Sequence, residues 1–544
     1  MQKNISPFLP HMLESIQAVE ANRQERLKTE SRRMDADEKT ALLKEFHPDY
    51  GEKGFDTIKI GANTGEKAPK ELVALLHSKS KLTEVNINLD NVEFDVDVLV
   101  IGGGAAGAAA AIEAHNAGQK VLIVTKLRMG DSNSMMAEGG IQAADKENDS
   151  PMQHYLDAFG GGHYANKPEL LRRLVMDGPG AIKWLNELGV MFDKHTDGTM
   201  MTFPGGGLSR KRLHACADYT GAEITRVLKD EVQNLGIQIA EFTAALELIL
   251  DEEGKAAGAV LTNMLTGEYL VARAKTVIMA TGGAGRMHYH GFPTTNHYGA
   301  TADGLVMAYR AGCNLLYQDT IQYHPSGAAF PSQLFGALVT EKVRSIGAQL
   351  LNVHGEAFVH PLETRDVAAS AIIRECGERG LGIDTGQGSG VWLDTPLIDM
   401  IHGEGKIASA IPGMLRMFLN YGMDLRKTPI LVYPTFHYQN GGIDIETDGN
   451  TASIPNLFVA GEAAGGIHGR NRLLGNSMLD VIVFGRLTGQ KAAEMAKSNS
   501  IGKLNIDHVK KYEDMIDDAG LDTGALSPIL LPKYTRDVNE ARIK

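Results

Sequence analysis

A chain of 544 residues, 43% hydrophobic and 22% charged, has the composition of a globular protein with several domains and a large core. Its formal net charge of -13 excludes a nucleic-acid surface, which needs clustered Lys and Arg, but leaves room for a local basic pocket. Cys216, Cys313 and Cys376 lie far apart without a C-x-x-C spacing, so no cysteine-ligated iron–sulfur cluster or structural zinc is built within this chain alone, and metal ligands are expected to be absent.

No apolar run is long enough to span a bilayer and no signal-peptide pattern follows Met1, which predicts a cytoplasmic protein with membrane contact only through partners. Residues 1–93 form a charged, mainly helical extension, with helix expected from about Pro10 to Phe46. Turn residues follow at His47-Pro48-Asp49-Tyr50-Gly51, then a second helix near Leu72–His77. Such a segment either packs on the surface or docks another subunit.

Val96-Asp97-Val98-Leu99-Val100-Ile101 reads as a buried parallel strand. It runs into Gly102-Gly103-Gly104-Ala105-Ala106-Gly107, an Ala-rich helix to about Asn116, and a second strand, Val121–Thr125. That order makes the glycine motif a dinucleotide turn: the glycines give a tight bend, leave room for a pyrophosphate, and let helix and strand pack closely. The helix N-terminus supplies unpaired N–H groups and a positive dipole end. Thr125-Lys126 stands where an NAD site usually carries an acidic residue, which favours FAD. Two more strands close on glycine turns, Thr276–Ala280 before Thr281-Gly282-Gly283, and Leu457–Ala460 before Gly461-Glu462.

From about Phe94 to Arg486 the chain resembles the flavoprotein subunits of fumarate reductases and succinate dehydrogenases, with L-aspartate oxidases as relatives. Ala137-Glu138-Gly139-Gly140 resembles the family's A-x-G-G loop, Asp218-Tyr219-Thr220-Gly221 its D-x-T-G element, and Thr301-Ala302-Asp303-Gly304 its T-G-D-G turn. The resemblance implies FAD contacts from Gly102, Gly104, Ala106, Gly107 and Lys126, then from Ser132, Asn133, Ser134, Ala137, Gly139 and Gly140. It adds Ala280, Thr281, Gly282, Asp303, Glu462, Asn476 and Ser477. Asn133 occupies the position of the His that carries the covalent flavin bond in membrane-bound members, so the FAD is expected to be non-covalent.

The same resemblance implies a dicarboxylate site. Its substrate ligands are His324, Thr340, His437 and Arg472, because a C4 dianion needs Arg and His donors. Arg365 is the implied proton donor, with Glu341 and Arg344 as its relay. A free guanidinium is a poor acid, so the role requires a very basic carbanion and prompt reprotonation. Two departures bear on the substrate: R-G-E-G-G becomes Arg344-Ser345-Ile346-Gly347-Ala348, and Asn440 replaces a common Met after His437-Tyr438-Gln439.

The implied architecture is α/β, with a Rossmann-like FAD-binding domain at 94–315 and 435–500 and an inserted α+β capping domain at 316–434. A short C-terminal segment, 501–544, completes it. The implied activity is hydride transfer from FAD to a dicarboxylate alkene, with electrons exchanged with a separate iron–sulfur subunit. Rival readings are an L-aspartate oxidase, a reductase of another unsaturated acid, and a non-catalytic electron relay.

Overall fold

A computed structural model describes residues 6–29 and 31–534. Its main sheet grows from the β-branched runs noted above. In order, the strands are Gln238–Ala240, Val121–Val124, Phe94–Ile101, Tyr269–Met279, Ala256–Asn263 and Thr243–Leu250. The first four run parallel, and Leu457–Val459 joins them on the Met279 end of the long strand. The other half of that strand pairs antiparallel with Ala256–Asn263, so one strand serves both a nucleotide sheet and a meander. Three strands thus end side by side: Ile101, Val124 and Met279 are in register, each running into a loop.

Ala105–Asn116 packs on this sheet and against Asn476–Ala496. Only small residues allow the helices so close: a Cβ at Gly489 would lie 2.2 Å from the Ala110 carbonyl oxygen, and one at Gly485 2.7 Å from that of Ala106. The Ala-rich sequence of the first helix is therefore a packing requirement.

A second core lies over a mixed unit in which the antiparallel strands Ile321–Ala328, Ile430–Gln439, Ser389–Leu393 and Leu350–Leu351 adjoin one another. Helix Arg365–Cys376 packs on this sheet. The strand pair Ile321–Ala328 and Ile430–Gln439 belongs to both cores: Ile321, Tyr323 and Phe436 are in the first, Ala328 and Ile430 to Val432 in the second. The two compartments therefore meet within continuous strands instead of at a linker.

Residues 6–29 and 31–93 form a strap across both cores. Helices Pro10–Arg26 and Ala36–Phe46 replace the single helical stretch expected there; Asp35 and Glu38 start the second with a reciprocal capping box. Met12, Ile16, Val19, Leu42 and Leu43 enter the second core, and Arg23 and Arg26 both pair with buried Asp394. Further on, Ile58, Leu72, Val73 and Leu76 enter the first core, and Asn63 closes a two-bond amide pair with the Leu315 backbone. The chain's other end returns to this strap, where Leu526–Ser527 pairs with Lys79–Ser80.

Candidate functional site

One continuous cavity runs from the glycine turns of the main sheet to the joint between the two cores. Its first compartment is walled by Gly102, Gly104, Ala106, Lys126, Ser132, Asn133 and Ser134, then by Ala137, Gly139, Gly140, Ala280, Thr281, Gly282, Asp303 and Glu462. Gly107 is not on this wall: a Cβ there would lie 2.0 Å from the Gly102 carbonyl oxygen, so its role is close packing of helix on turn. Asn476 also lies off the wall, where its side chain bonds to buried His154 at 2.9 Å. Lys126 forms an ion pair with Asp303, which ties the end of the second strand to the T-A-D-G turn.

Asn133 is fully engaged. Its amide nitrogen donates to Asn296 and Glu462 at 2.7 and 3.2 Å, and its oxygen accepts from the His297 N–H at 2.6 Å. Asp218, by contrast, caps the helix Pro412–Leu419 by accepting from the Gly413 and Met414 N–H groups, and so fastens the second core to the first.

The second compartment is cationic and buried. Arg365, at the start of its helix, donates from Nε to Glu341 Oε2 at 2.8 Å and from Nη1 to Gln322 Oε1 at 2.9 Å. Arg472 donates to the same Gln322 oxygen at 2.8 Å and to Ser477 Oγ at 2.7 Å, with its guanidinium 4.4 Å from the Tyr438 ring centre. One amide oxygen thus fixes the spacing of two guanidinium groups. Glu341 also accepts from the Gly206 N–H at 2.8 Å and pairs with Arg344 at 3.4 Å. His324 and His437 face each other with ring centres 4.9 Å apart, and His437 Nδ1 meets Thr295 Oγ1 at 2.7 Å.

Burial and then the Arg365 charge push both histidines well below the usual imidazole range, so both are neutral near pH 7. Arg472 is lowered to about 9, first by burial and then by Arg365. Burial works to raise the Glu341 carboxyl, yet Arg365 and Arg344 outweigh it and hold it below the usual range. This site has low dielectric and concentrated positive charge, with one carboxylate shared among the arginines.

His324, Thr340, Glu341, Arg365, His437 and Arg472 all line the cavity. Arg344 does not; it lies behind Glu341, with a second bond to the Pro361 carbonyl. Ser477 lines the same cavity, and its hydroxyl ties the cofactor side to the substrate side by accepting from Arg472. Gln322 precedes Tyr323-His324 in sequence, but the family resemblance gives it no role. Asn296, which donates to the His437 carbonyl at 2.7 Å, lies in a loop with no motif at all. Neither Ile346 nor Asn440 reaches the cavity, so the two departures leave its lining intact.

The residues present fit a flavin dinucleotide. A Cβ at Gly282 would meet nothing within 4 Å, so the bare backbone leaves open space at the cavity wall. Thr281 Oγ1 and Glu138 Oε2 are buried on that wall without a protein partner. The helix Ala105–Asn116 starts at Gly104 with no cap from that residue's side chain; the Ala105 N–H meets Ser134 Oγ at 3.4 Å, and the positive end of the helix suits a phosphate.

Fold and cavity together define a dinucleotide-binding α/β enzyme with a cationic second compartment. The FAD binding domain family matches residues 97–478. A subunit of the CoM/CoB fumarate reductase of Methanothermobacter marburgensis is 38% identical over 443 residues, covering 79% of this chain and 78% of that protein. L-aspartate oxidase of Streptomyces coelicolor is 34% identical, over 75% of this chain and 70% of that one. An E. coli quinol fumarate reductase FrdA variant superposes with TM-score 0.70 at 31% identity, covering 78% of this chain and 74% of that one. The chain belongs to the FAD-dependent flavoprotein family of fumarate reductases, succinate dehydrogenases and L-aspartate oxidases, and is an oxidoreductase.

Proposed function

We propose that this protein is the flavoprotein subunit of a fumarate reductase, reducing a C4 dicarboxylate alkene with electrons received from a separate iron–sulfur subunit. The observation that carries the reading is the pairing of Arg365 and Arg472, both on the cavity wall, on one oxygen of Gln322. That arrangement holds two cations at a fixed spacing, which suits a substrate with carboxylates at both ends.

FAD, held by the first compartment, supplies hydride chemistry in its reduced form. Arg472, His437, His324 and Thr340 bind and orient the substrate carboxylates; the neutral histidines act as hydrogen-bond partners. Arg365 then gives a proton to the alkene carbon opposite the one that receives hydride. Glu341, 2.8 Å from Arg365 Nε, then takes up a proton supplied from solvent by way of Arg344, passes it to Arg365 and is left ionised again. Burial of the whole cluster excludes water that would otherwise quench a carbanion. Two electrons and two protons convert the alkene to its saturated acid.

The partner is supported by relatives named as subunits, including the 8-methylmenaquinol:fumarate reductase flavoprotein subunit of Wolinella succinogenes, 35% identical over 75% of this chain. Four thiolates for a cluster exceed the three cysteines of this chain, so any cluster is ligated elsewhere. The engaged amide of Asn133 supports non-covalent FAD, because it has no imidazole to offer as an attachment point.

The test is anaerobic, fumarate-dependent oxidation of a reduced viologen dye, with Arg365→Ala beside the wild type. Wild-type activity and loss of at least about 10²-fold in the variant, with flavin content unchanged, are expected. No activity in flavin-loaded wild type would overturn fumarate as substrate.

A further inference from the structure

The segment after the last helix, Asp507–Asp518, is not spent on the sheet or on the substrate compartment. It pairs through Leu526–Ser527 with Lys79–Ser80, and Ser527 Oγ accepts from buried Arg310 at 2.7 Å. From there it crosses the outside of the cofactor compartment. Leu530 is buried against Leu82, Ala244, Leu246 and Val260.

Its backbone is gripped by side chains of the cavity wall and its surroundings. The Leu530 N–H donates to Asp303 Oδ1 at 3.2 Å, and its carbonyl accepts from Lys126 Nζ at 2.6 Å and Thr301 Oγ1 at 3.1 Å. Beyond it, Tyr298 donates to the Pro532 carbonyl at 2.8 Å, and the Tyr534 hydroxyl lies 3.1 Å from Arg286 Nη1 and 3.0 Å from His288 Nε2. Lys126 and Asp303 line the cavity, and Lys126 follows the second parallel strand. In a dinucleotide fold that strand end receives the adenosine ribose.

We infer that residues 526–534 form a strap that closes the adenosine end of the cofactor site and gates the entry and exit of FAD. This rests on the reading that FAD is held without a covalent bond, since a gate controls only a cofactor free to leave. None of residues 526–534 lines the cavity and the strap's bonds are to protein groups, so opening it is a step common to binding and release. Weakening it should therefore speed both rates together and change the dissociation constant little.

The experiment uses the full flavin-loaded chain and follows free-flavin fluorescence after dilution and after FAD is added back to deflavinated protein. Tyr298→Phe combined with Tyr534→Phe removes strap bonds without touching the cavity wall. Each such bond contributes about 1 kcal/mol, so release and binding should each quicken by roughly tenfold or more. A chain ending at residue 525 should show a larger change in the same sense. Faster release with unchanged or slower binding would overturn the gate and mark the strap as merely supporting the wall. Unchanged rates in the double variant would also overturn it. Flavin that remains with acid-precipitated protein would overturn the non-covalent reading itself, and the gate with it.

Discussion

Neutralising Glu341 tests the relay directly. Its side chain is 1% exposed and is shared by Arg365 at 2.8 Å, Arg344 at 3.4 Å and the Gly206 N–H at 2.8 Å. Glu341→Gln keeps shape and an acceptor oxygen, so the Gly206 bond survives, but it removes the one carboxylate shared by two buried guanidinium groups. Breaking one side of a buried ion pair costs about 3–5 kcal/mol of stability, so thermal or urea unfolding should shift measurably downward. The effect on turnover is separable from that loss. An amide neither carries nor returns a proton, and general acid–base steps contribute about 10²–10⁴-fold. Flavin-loaded Glu341→Gln should therefore lose at least about 10²-fold in kcat for viologen-coupled fumarate reduction, with a much smaller change in KM. Arg472, His437, His324 and Thr340 remain to hold the substrate, so the KM-against-kcat split distinguishes a relay from a binding group. A folded, flavin-loaded variant within about threefold of wild-type kcat would refute the relay.

Gln322→Leu removes the oxygen that accepts from Arg365 and Arg472. With two charge-assisted bonds worth about 1.5–3 kcal/mol each, kcat/KM should fall by roughly a hundredfold or more while flavin content holds. Burial pushes His47 and His154 down to about 4, so below pH 6.5 the unfolded chain takes up protons that the folded chain refuses. Their contribution is complete above pH 6.5 and is lost as pH falls toward 4, by about 2 kcal/mol each down to pH 5. A urea midpoint that is flat between pH 7 and 5 would contradict it. Gly489→Ala places a methyl 2.2 Å from the Ala110 carbonyl oxygen, far from the substrate compartment. It should destabilise by about 1–3 kcal/mol and weaken flavin retention, whereas a higher melting temperature would show that the helices separate freely.

The sequence by itself determined the parallel strands and the turns that follow them. Val96–Ile101 and Val121–Val124 are short, β-branched and flanked by glycine, and nothing non-local is needed to read them. Arg365, Glu341 and Arg472 stood out only through their places in motifs that resemble the family's, and no local pattern of charge singled them out. Tertiary structure alone decided which groups meet. Gln322 bridges two arginines 43 and 150 residues away, and Asn296 supports His437 from 141 residues away, separations over which no local pattern operates. It also gave residues their neighbours: Ser477 meets Arg472, Gly107 packs on the turn, and Asp218 caps a helix of the second core. The same is true of the described segments 6–29, 31–93 and 526–534, whose sequences gave no hint that the first two strap two cores together and the third is held by Lys126, Thr301 and Asp303. Their stabilising contacts are apolar side chains buried in the cores, backbone carbonyls and buried ion pairs, whose partners exist only once the chain has folded back on itself.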